Sequence, residues 1–599
     1  MVVKSKKKSL SKQSGNRKRV ASKKSTSEQS NPKRVAEKET VSQKKQKAVS
    51  KSVARGKPSQ PRGKIQKVDI EKFLKQFDAE LEQKNFQKAQ DMLNRLGGLK
   101  KWQYLNLQSL IKYKTGDVNT SEDLMRQALR EPDCNVVVNR NLGGLLINQG
   151  RMREGLPFCQ KAYEEMKDLK SAQLYLNSLL DLGRAEEVLK VSNDILKDNP
   201  DDKTILVSRA SALRSVQRVD EADKELDRLI EKFPAEPVIR RIKADLLGDK
   251  STREALPFYE KALQLSVDNK GVPDPAIQWN MSLHLLRARD MERGWECWEQ
   301  GFHPIVGTMG RNLPKRITTM PRADNGKKID RNKWTLICAE QGIGDQILFM
   351  HSMNEAIEEF GKVLYITEKR LYPIIKRSFP GMEVAAQGAT YDWTRNSLKK
   401  NGYIPLGSIP RRHRKTTESY LANQTPFLRA NKDHYDKYKA HLRKLANGRP
   451  IIGISWKGGF WQIQRKTKEL ELSNWDPIFE RNALYVNLQY GDITEDLSYL
   501  RAKNRTLVTF KDLDFKVHID EWVAIAGACD GIISVSTALV HFAGAIGQKV
   551  AVVMPGEQGP WHLGLDDTKS MAYKNVRIFR PTQKESLPAL VDRVSKLIV

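Results

Sequence analysis

The stretch Ile532–Pro555, IISVSTALVHFAGAIGQKVAVVMP, decides the fold of the C-terminal half of this 599-residue chain. Ile532-Ile533-Ser534-Val535 is β-branched and follows Gly531, which predicts a buried strand. Ser536 and Thr537 are good N-cap residues, Ala538 to Ile546 is helical in character, and Gly547 stands where a left-handed stop is expected. Lys549 to Met554 reads as the next strand, ended by Pro555. Ala543, Gly544 and Ala545 lack bulk, so this helix can lie close against a sheet. A helix that starts just past a buried strand turns its free N–H groups and positive dipole end toward the C-terminal edge of the sheet. Open α/β sheets bind ligands at that edge, and the arrangement suits a phosphate. An ordinarily capped βαβ unit with no ligand is the competing reading of these residues.

Working outward, the same alternation extends upstream. Ile451 to Trp456, Ala483 to Gln489 and Arg505 to Phe510 read as strands, and Glu521 to Cys529 as the helix that leads into the opening stretch. Further back, Trp334 to Ala339 is an apolar strand followed by the turn Gln341-Gly342-Ile343-Gly344 and a helix from about Asp345. Gly361 to Thr367 is the next strand, with Leu371 to Phe379 helical after it. Strands alternating with helices of this length predict parallel sheets with helices on their faces. We therefore expect two Rossmann-like domains, 333–430 and 448–580, with a C-terminal helix within 581–599 packing back across both.

Residues 305–332 contain Pro, Gly and Arg without periodicity and read as a connector. Before them, 68–304 is helical throughout and repeats itself. Gly116, Gly150, Gly183 and Gln217 stand 34, 33 and 34 residues apart, each between two amphipathic helices. Leu142, Gly143, Leu146, Gly150, Gly155, Cys159 and Ala162 place small residues where two such helices must approach. A helix-pair repeat near 34 residues is the tetratricopeptide signature, and about six units are expected, stacked into a solenoid whose groove suits peptides or proteins, with a structural spacer as the competing reading.

Residues 1–66 are rich in Lys, Ser, Arg and Gln, with no aromatic residue before Phe73. Residues 1–67 hold 22 Lys or Arg against three Glu, a net +19 that leaves +13 of the total +32 for everything else. Such a segment is expected to be disordered. Any binding to nucleic acid or a membrane surface would be driven by charge and be non-specific, and a solubilising tail is the plainer reading. The five cysteines are scattered, which argues against a disulfide framework or a zinc ribbon. No apolar run reaches the roughly 18–20 residues a membrane span needs, and the N-terminus lacks the apolar core of a secretory signal, so a cytoplasmic protein with no transmembrane segment is expected. Asp512-Leu513-Asp514 matches a D-x-D pattern, but so short a motif arises by chance and no metal site is assigned.

Glu340-Gln341-Gly342-Ile343-Gly344-Asp345, Trp456-Lys457-Gly458-Gly459, Asn487-Leu488-Gln489 and Ser536 to Ala545 resemble, in this order, motifs of bacterial tetratricopeptide-repeat glycosyltransferases. Their catalytic halves are similar to the heptosyltransferase family (glycosyltransferase family 9) and more distantly to O-GlcNAc transferase. Trp295-Glu296-Cys297-Trp298-Glu299 resembles the segment that joins repeats to catalytic half in those proteins. The resemblance implies a GT-B architecture, a nucleotide-diphosphate sugar as donor substrate with no further cofactor, and metal-independent, inverting transfer to a hydroxyl of a protein or glycan acceptor chosen by the repeats. It implies Asp345 as general base. Gly344, Trp456 and Gln489 belong to the resembling motifs and are taken as donor-binding. Without a metal the leaving diphosphate needs positive potential, which the helix N-terminus at Ser536 and Thr537, His541 one turn in, and Lys457, Arg465, Lys466 and Lys468 could supply. A solvated loop lysine and a locally satisfied helix histidine are the competing readings of Lys457 and His541. Trp561 and His562 are further candidates for a contact with base or sugar, or for plain packing. Family members often carry an acidic residue where this chain has Ser536. The rival reading of Asp345 is a helix N-cap. Two other functional classes stand beside the enzyme: a repeat scaffold with an inactive GT-B half, and an assembly protein working through tail and repeats.

Overall fold

The computed structural model of the protein describes residues 70–306, 310–311, 313–326, 328–387, 399–458, 471–554, 559–582 and 585–598. Expectations for the basic tail lie outside these residues. Two compact units divide the described chain, one ending at Val138 and the other beginning at Asn139.

The repeat spacing is realised as successive helix pairs. In the first unit these are Ile70–Glu82 with Phe86–Arg95 and Lys101–Lys114 with Val118–Ala128. Further pairs run from Val137–Asn148 with Met152–Met166 to Pro275–Arg287 with Met291–Trp298. The described residues hold seven pairs, where about six were expected. Gly116, Gly150, Gly183 and Gln217 all take left-handed φ, and Lys84 and Arg289 do the same in the first and last pairs. Gly143 and Gly155 show why small residues recur. A Cβ on Gly143 would stand 2.6 Å from Cys159 Sγ, and one on Gly155 would stand 3.1 Å from the Gly143 carbonyl.

The α/β half contains two all-parallel sheets. The first has the order β3-β2-β1-β4, with β1 Trp334–Cys338, β2 Val363–Thr367, β3 Glu383–Ala386 and β4 Lys400–Pro405. The second has the order β6-β5-β7-β8-β9, with β5 Ile451–Ser455, β6 Leu484–Asn487, β7 Gly531–Ser534, β8 Val550–Val553 and β9 Val576–Phe579. Every residue of β5 to β8 is buried, which explains their continuous apolar runs. In both sheets the strand order reverses at the first strand, placing switch points between β1 and β4 and between β5 and β7. Crevices at such points, outside the carboxyl ends of the strands, are where these sheets bind ligands.

Four expectations are corrected. Arg505 to Phe510 is no strand and makes only isolated bridging contacts; Val508 bridges to Val486, exchanging backbone hydrogen bonds with Tyr485 and Asn487. β3, β4 and β9 were not anticipated, being short and flanked by polar sequence. The C-terminal helix Leu587–Ile598 packs on the second sheet, where Leu590, Val591 and Val594 join Ile452, Ile454 and Trp475 in one core. Residues 305–332 are more than a connector. Arg311 is fully buried, donates through Nε to Glu340 at 2.7 Å, and reaches Glu299 at 2.9 Å and Ser408 at 2.9 Å. Burial pushes the Glu299 carboxyl up, yet Arg311 and Arg322 beside it hold it below its ordinary value. No described helix is long and apolar enough to cross a membrane.

Candidate functional site

One cleft of about 340 Å³ receives the loops of both sheets. Gly342, Ile343, Gly344 and Asp345 come from the end of β1, Gly458 from β5, Val535 to Ala538 and His541 from β7, and Pro560 and His562 from beyond β8. The two switch points therefore open on a common space.

The β1 loop is held from behind. Glu340 has a buried side chain whose Oε1 accepts from the Gly407 N–H at 2.9 Å, tying the loop after β1 to the loop after β4. Gln341 then takes a left-handed φ of 63°, and the helix Ile343–Phe349 begins, with Gly342 as N-cap. Asp345 thus sits in the first helical turn and is not the cap, which corrects the rival reading. Gly344 brings this helix against the helix Ala538–Ala545: a Cβ there would stand 3.1 Å from His541 Cδ2 and 3.2 Å from Ala538 Cα.

On the second sheet Thr537 is the N-cap of Ala538–Ala545, in extended conformation, and its hydroxyl makes no capping hydrogen bond. Its Oγ1 lies 3.5 Å from Ser534 Oγ. Thr537 and Ala538, at the positive end of this helix, both line the cleft. His541 is buried, accepts or donates at Nδ1 with the Tyr573 hydroxyl at 3.1 Å, and is kept neutral by burial, which lowers its pKa to about 4. Burial first, then Tyr420 and Asp345, pushes the Tyr573 phenol well above its ordinary value, so it stays protonated.

Other expected donor-binding residues are placed differently. Trp456 is fully buried in the core of the second sheet, its indole N–H 3.3 Å from Asp496, so its side chain is withdrawn from the cleft. Gln489 braces the loop after β5: its Oε1 accepts from Ser455 Oγ at 3.0 Å, Trp456 N at 3.0 Å and Lys457 N at 2.8 Å. That carboxamide is committed to protein, although Gln489 also lines a second cavity of about 710 Å³ together with Tyr490, Phe510 and Phe515. Tyr490 lines both cavities. Lys457 pairs with Asp496 at 2.6 Å. Arg465, Lys466 and Lys468 lie outside the described residues. Glu340, Arg311, Asp496, Tyr490 and Tyr573 were missed by sequence reasoning, since each acts across a fold that no local pattern reveals.

Fold and site together define a class: a helix-pair repeat protein whose parallel α/β half opens two switch points on a shared cleft. No protein-family model matches the chain. Protein FlbA of Caulobacter vibrioides is 23% identical to it over 516 residues, covering 81% of this chain and 83% of FlbA. Among solved structures, a tetratricopeptide repeat protein from Parabacteroides merdae is similar over 39% of this chain and 94% of its own, at 15% identity and a TM-score of 0.34. The E. coli ADP-heptose LPS heptosyltransferase II is similar over 44% of this chain and 98% of its own, at 12% identity and a TM-score of 0.30. Scores this low leave the description of the fold resting on the chain's own geometry.

Proposed function

We propose that the protein is a glycosyltransferase of GT-B architecture that moves a sugar from a nucleotide-diphosphate donor to a hydroxyl of a protein or glycan acceptor. One observation carries this reading: Asp345 from the first sheet and the Thr537 helix N-terminus from the second line the same cleft. Breaking a sugar–diphosphate bond develops positive charge on the sugar and negative charge on the leaving diphosphate. The helix N-terminus and Thr537 hydroxyl answer the second, and a carboxylate on the facing wall suits the proton of the attacking hydroxyl. In this reading the leaving charge is met by helix dipole and hydrogen bonds, and attack from the face opposite the diphosphate inverts the sugar carbon. The larger cavity, which shares Tyr490 with the cleft as a lining residue, offers aromatic walls for the nucleoside.

Asp345 is the base in this scheme. An aspartate in a first helical turn is stabilised as the anion and is a weak base. It still serves if proton transfer comes late, when bonding to the sugar carbon has made the oxygen acidic. Asp345→Asn keeps size and donor binding and should cut transfer by about 10²-fold or more. The check is sugar release and transfer measured over a panel of nucleotide-sugars, and near-normal rates in the variant would remove Asp345 from the chemistry.

A further inference from the structure

Beyond β8 the chain forms a single 3-10 turn, Trp561–Leu563. His562 in this turn is 4% exposed and lines the cleft beside Gly344, Asp345, Thr537 and His541. Its Nε2 is buried and has no hydrogen-bond partner among the described residues. His351, His413, His434 and His441 also have a buried ring nitrogen without a hydrogen-bond partner among the described residues. Of these five histidines only His562 lines the cleft, where such a nitrogen points to a group that arrives from outside. The neighbouring imidazole shows the contrast. His541 lies 4.5 Å away, ring centre to ring centre, and has its Nδ1 on Tyr573. Burial, followed by His541, Arg289 and Arg287, holds His562 well below its ordinary pKa, so it meets a ligand as a neutral imidazole with one N–H to give.

The turn is gripped from the repeats. Arg289 Nη1 donates to the Trp561 carbonyl at 3.2 Å and Nη2 to the His562 carbonyl at 3.4 Å, while Nη2 also pairs with Asp567. Arg289 stands between helices Pro275–Arg287 and Met291–Trp298 at φ 71°, the turn position that Gly116, Gly150 and Gly183 fill elsewhere. Lys84 and Gln217 take the same left-handed conformation at their own repeat turns, so it is the contacts of the Arg289 side chain, and not its backbone, that mark its use. The opposite wall is cut to fit: a Cβ on Gly564 would collide with the Arg289 guanidinium. Trp295 of the same helix pair stacks edge-on against Trp561 at 5.3 Å.

We infer that His562 is a ligand-contacting residue of the cleft, its Nε2–H donating to a phosphate oxygen of the bound nucleoside diphosphate, and that Arg289 is the positioning residue through which the last repeat holds it there. This rests on the nucleotide-sugar reading above, and it makes the end of the repeat array part of the donor site.

Isothermal titration of the full chain with ADP, UDP, GDP and CDP in turn tests both. For the nucleotide that the wild type binds, His562→Phe should weaken affinity about tenfold, as expected for one charge-assisted hydrogen bond. His562→Gln, whose amide nitrogen reaches near the Nε2 position, should restore most of it. Arg289→Met should weaken binding to a similar extent, and the Arg289→Met/His562→Phe double variant should be no weaker than His562→Phe alone. Thermal midpoints check folding, and His562→Asn withdraws the donor by a second route should His562→Phe melt early. Wild-type affinity in both His562→Phe and His562→Asn overturns the contact, and full additivity in the double variant overturns the role of Arg289. If Thr537→Val weakens binding while the His562 variants do not, this inference alone fails. If the wild type binds none of the four, the nucleotide-sugar reading fails with it.

Discussion

Thr537 shows how much one residue's surroundings decide. A threonine before a helix is ordinarily a cap, with its hydroxyl spent on the N–H of the second or third helical residue. Here the hydroxyl makes no such bond, and the residue is 8% exposed on the wall of the cleft. Thr537→Val preserves shape and removes the hydroxyl, so it should cost the helix little and weaken nucleoside-diphosphate binding about tenfold. His541→Ala should act in the same direction, because it removes a cleft wall and the partner of Tyr573. Titration calorimetry reads both; unchanged affinity in the pair would put the diphosphate elsewhere. Gly344 was legible as a turn glycine, but its actual constraint is contact with His541 and Ala538, which no sequence spacing announces.

At the scale of elements, the cleft exists because the helix Ile343–Phe349 lies directly on Ala538–Ala545. Gly344→Val would force these two helices apart at their closest point. It should lower the thermal midpoint and weaken nucleotide binding together, whereas a change to the cleft's chemistry alone would move only the second. The loop carrying Asp345 depends on the buried Arg311–Glu340 pair, which also reaches Glu299 and Ser408. Arg311→Met leaves the buried Glu340 carboxylate without its guanidinium, while Glu299 keeps Arg322, and should destabilise the α/β half by about 3–5 kcal/mol, measured by urea denaturation. Residues 305–332 looked like a linker because Arg311 and Arg322 carry no periodicity. Their partners lie in three other segments, so only the folded chain shows what they do.

For the molecule as a whole, buried neutral histidines tie stability to pH. Burial, with Arg414 adding to it, lowers the pKa of His351 to about 3, and burial lowers that of His541 to about 4. Both free imidazoles titrate near 6.5, so below that pH the unfolded chain binds protons that the folded chain refuses. This part of the stability is full above pH 6.5 and is lost as pH falls toward 4, by roughly 1.4 kcal/mol per histidine per pH unit. Urea midpoints followed by fluorescence of the buried Trp295, Trp456, Trp475 and Trp522 should fall over that range, with a shallower slope in His541→Gln. A second prediction concerns the repeats. Because the last two helix pairs share a core and Arg289 belongs to the final one, a chain lacking residues 70–236 keeps the grip on His562. It should still hydrolyse donor while losing transfer to the acceptors of a cell extract; retained transfer would make the earlier repeats a spacer.

The sequence by itself determined the succession of helix pairs, the left-handed turns at Gly116, Gly150 and Gly183, and the strand–turn–helix units at Trp334 and Ile532. These features rest on interactions within a few residues: periodic apolar faces, the freedom of glycine at positive φ, and caps. What only tertiary structure decided were the contacts between distant segments. It sent Trp456 into the core and spent Gln489 on backbone N–H groups, although their motifs read as ligand-binding. It also set Gly344 against His541 and carried Arg289 from a repeat turn to the carbonyl of His562. A side chain's chemistry is written in the sequence, whereas its partner depends on which strand ends share a crevice. That follows from strand order, which is settled only when the sheets pack.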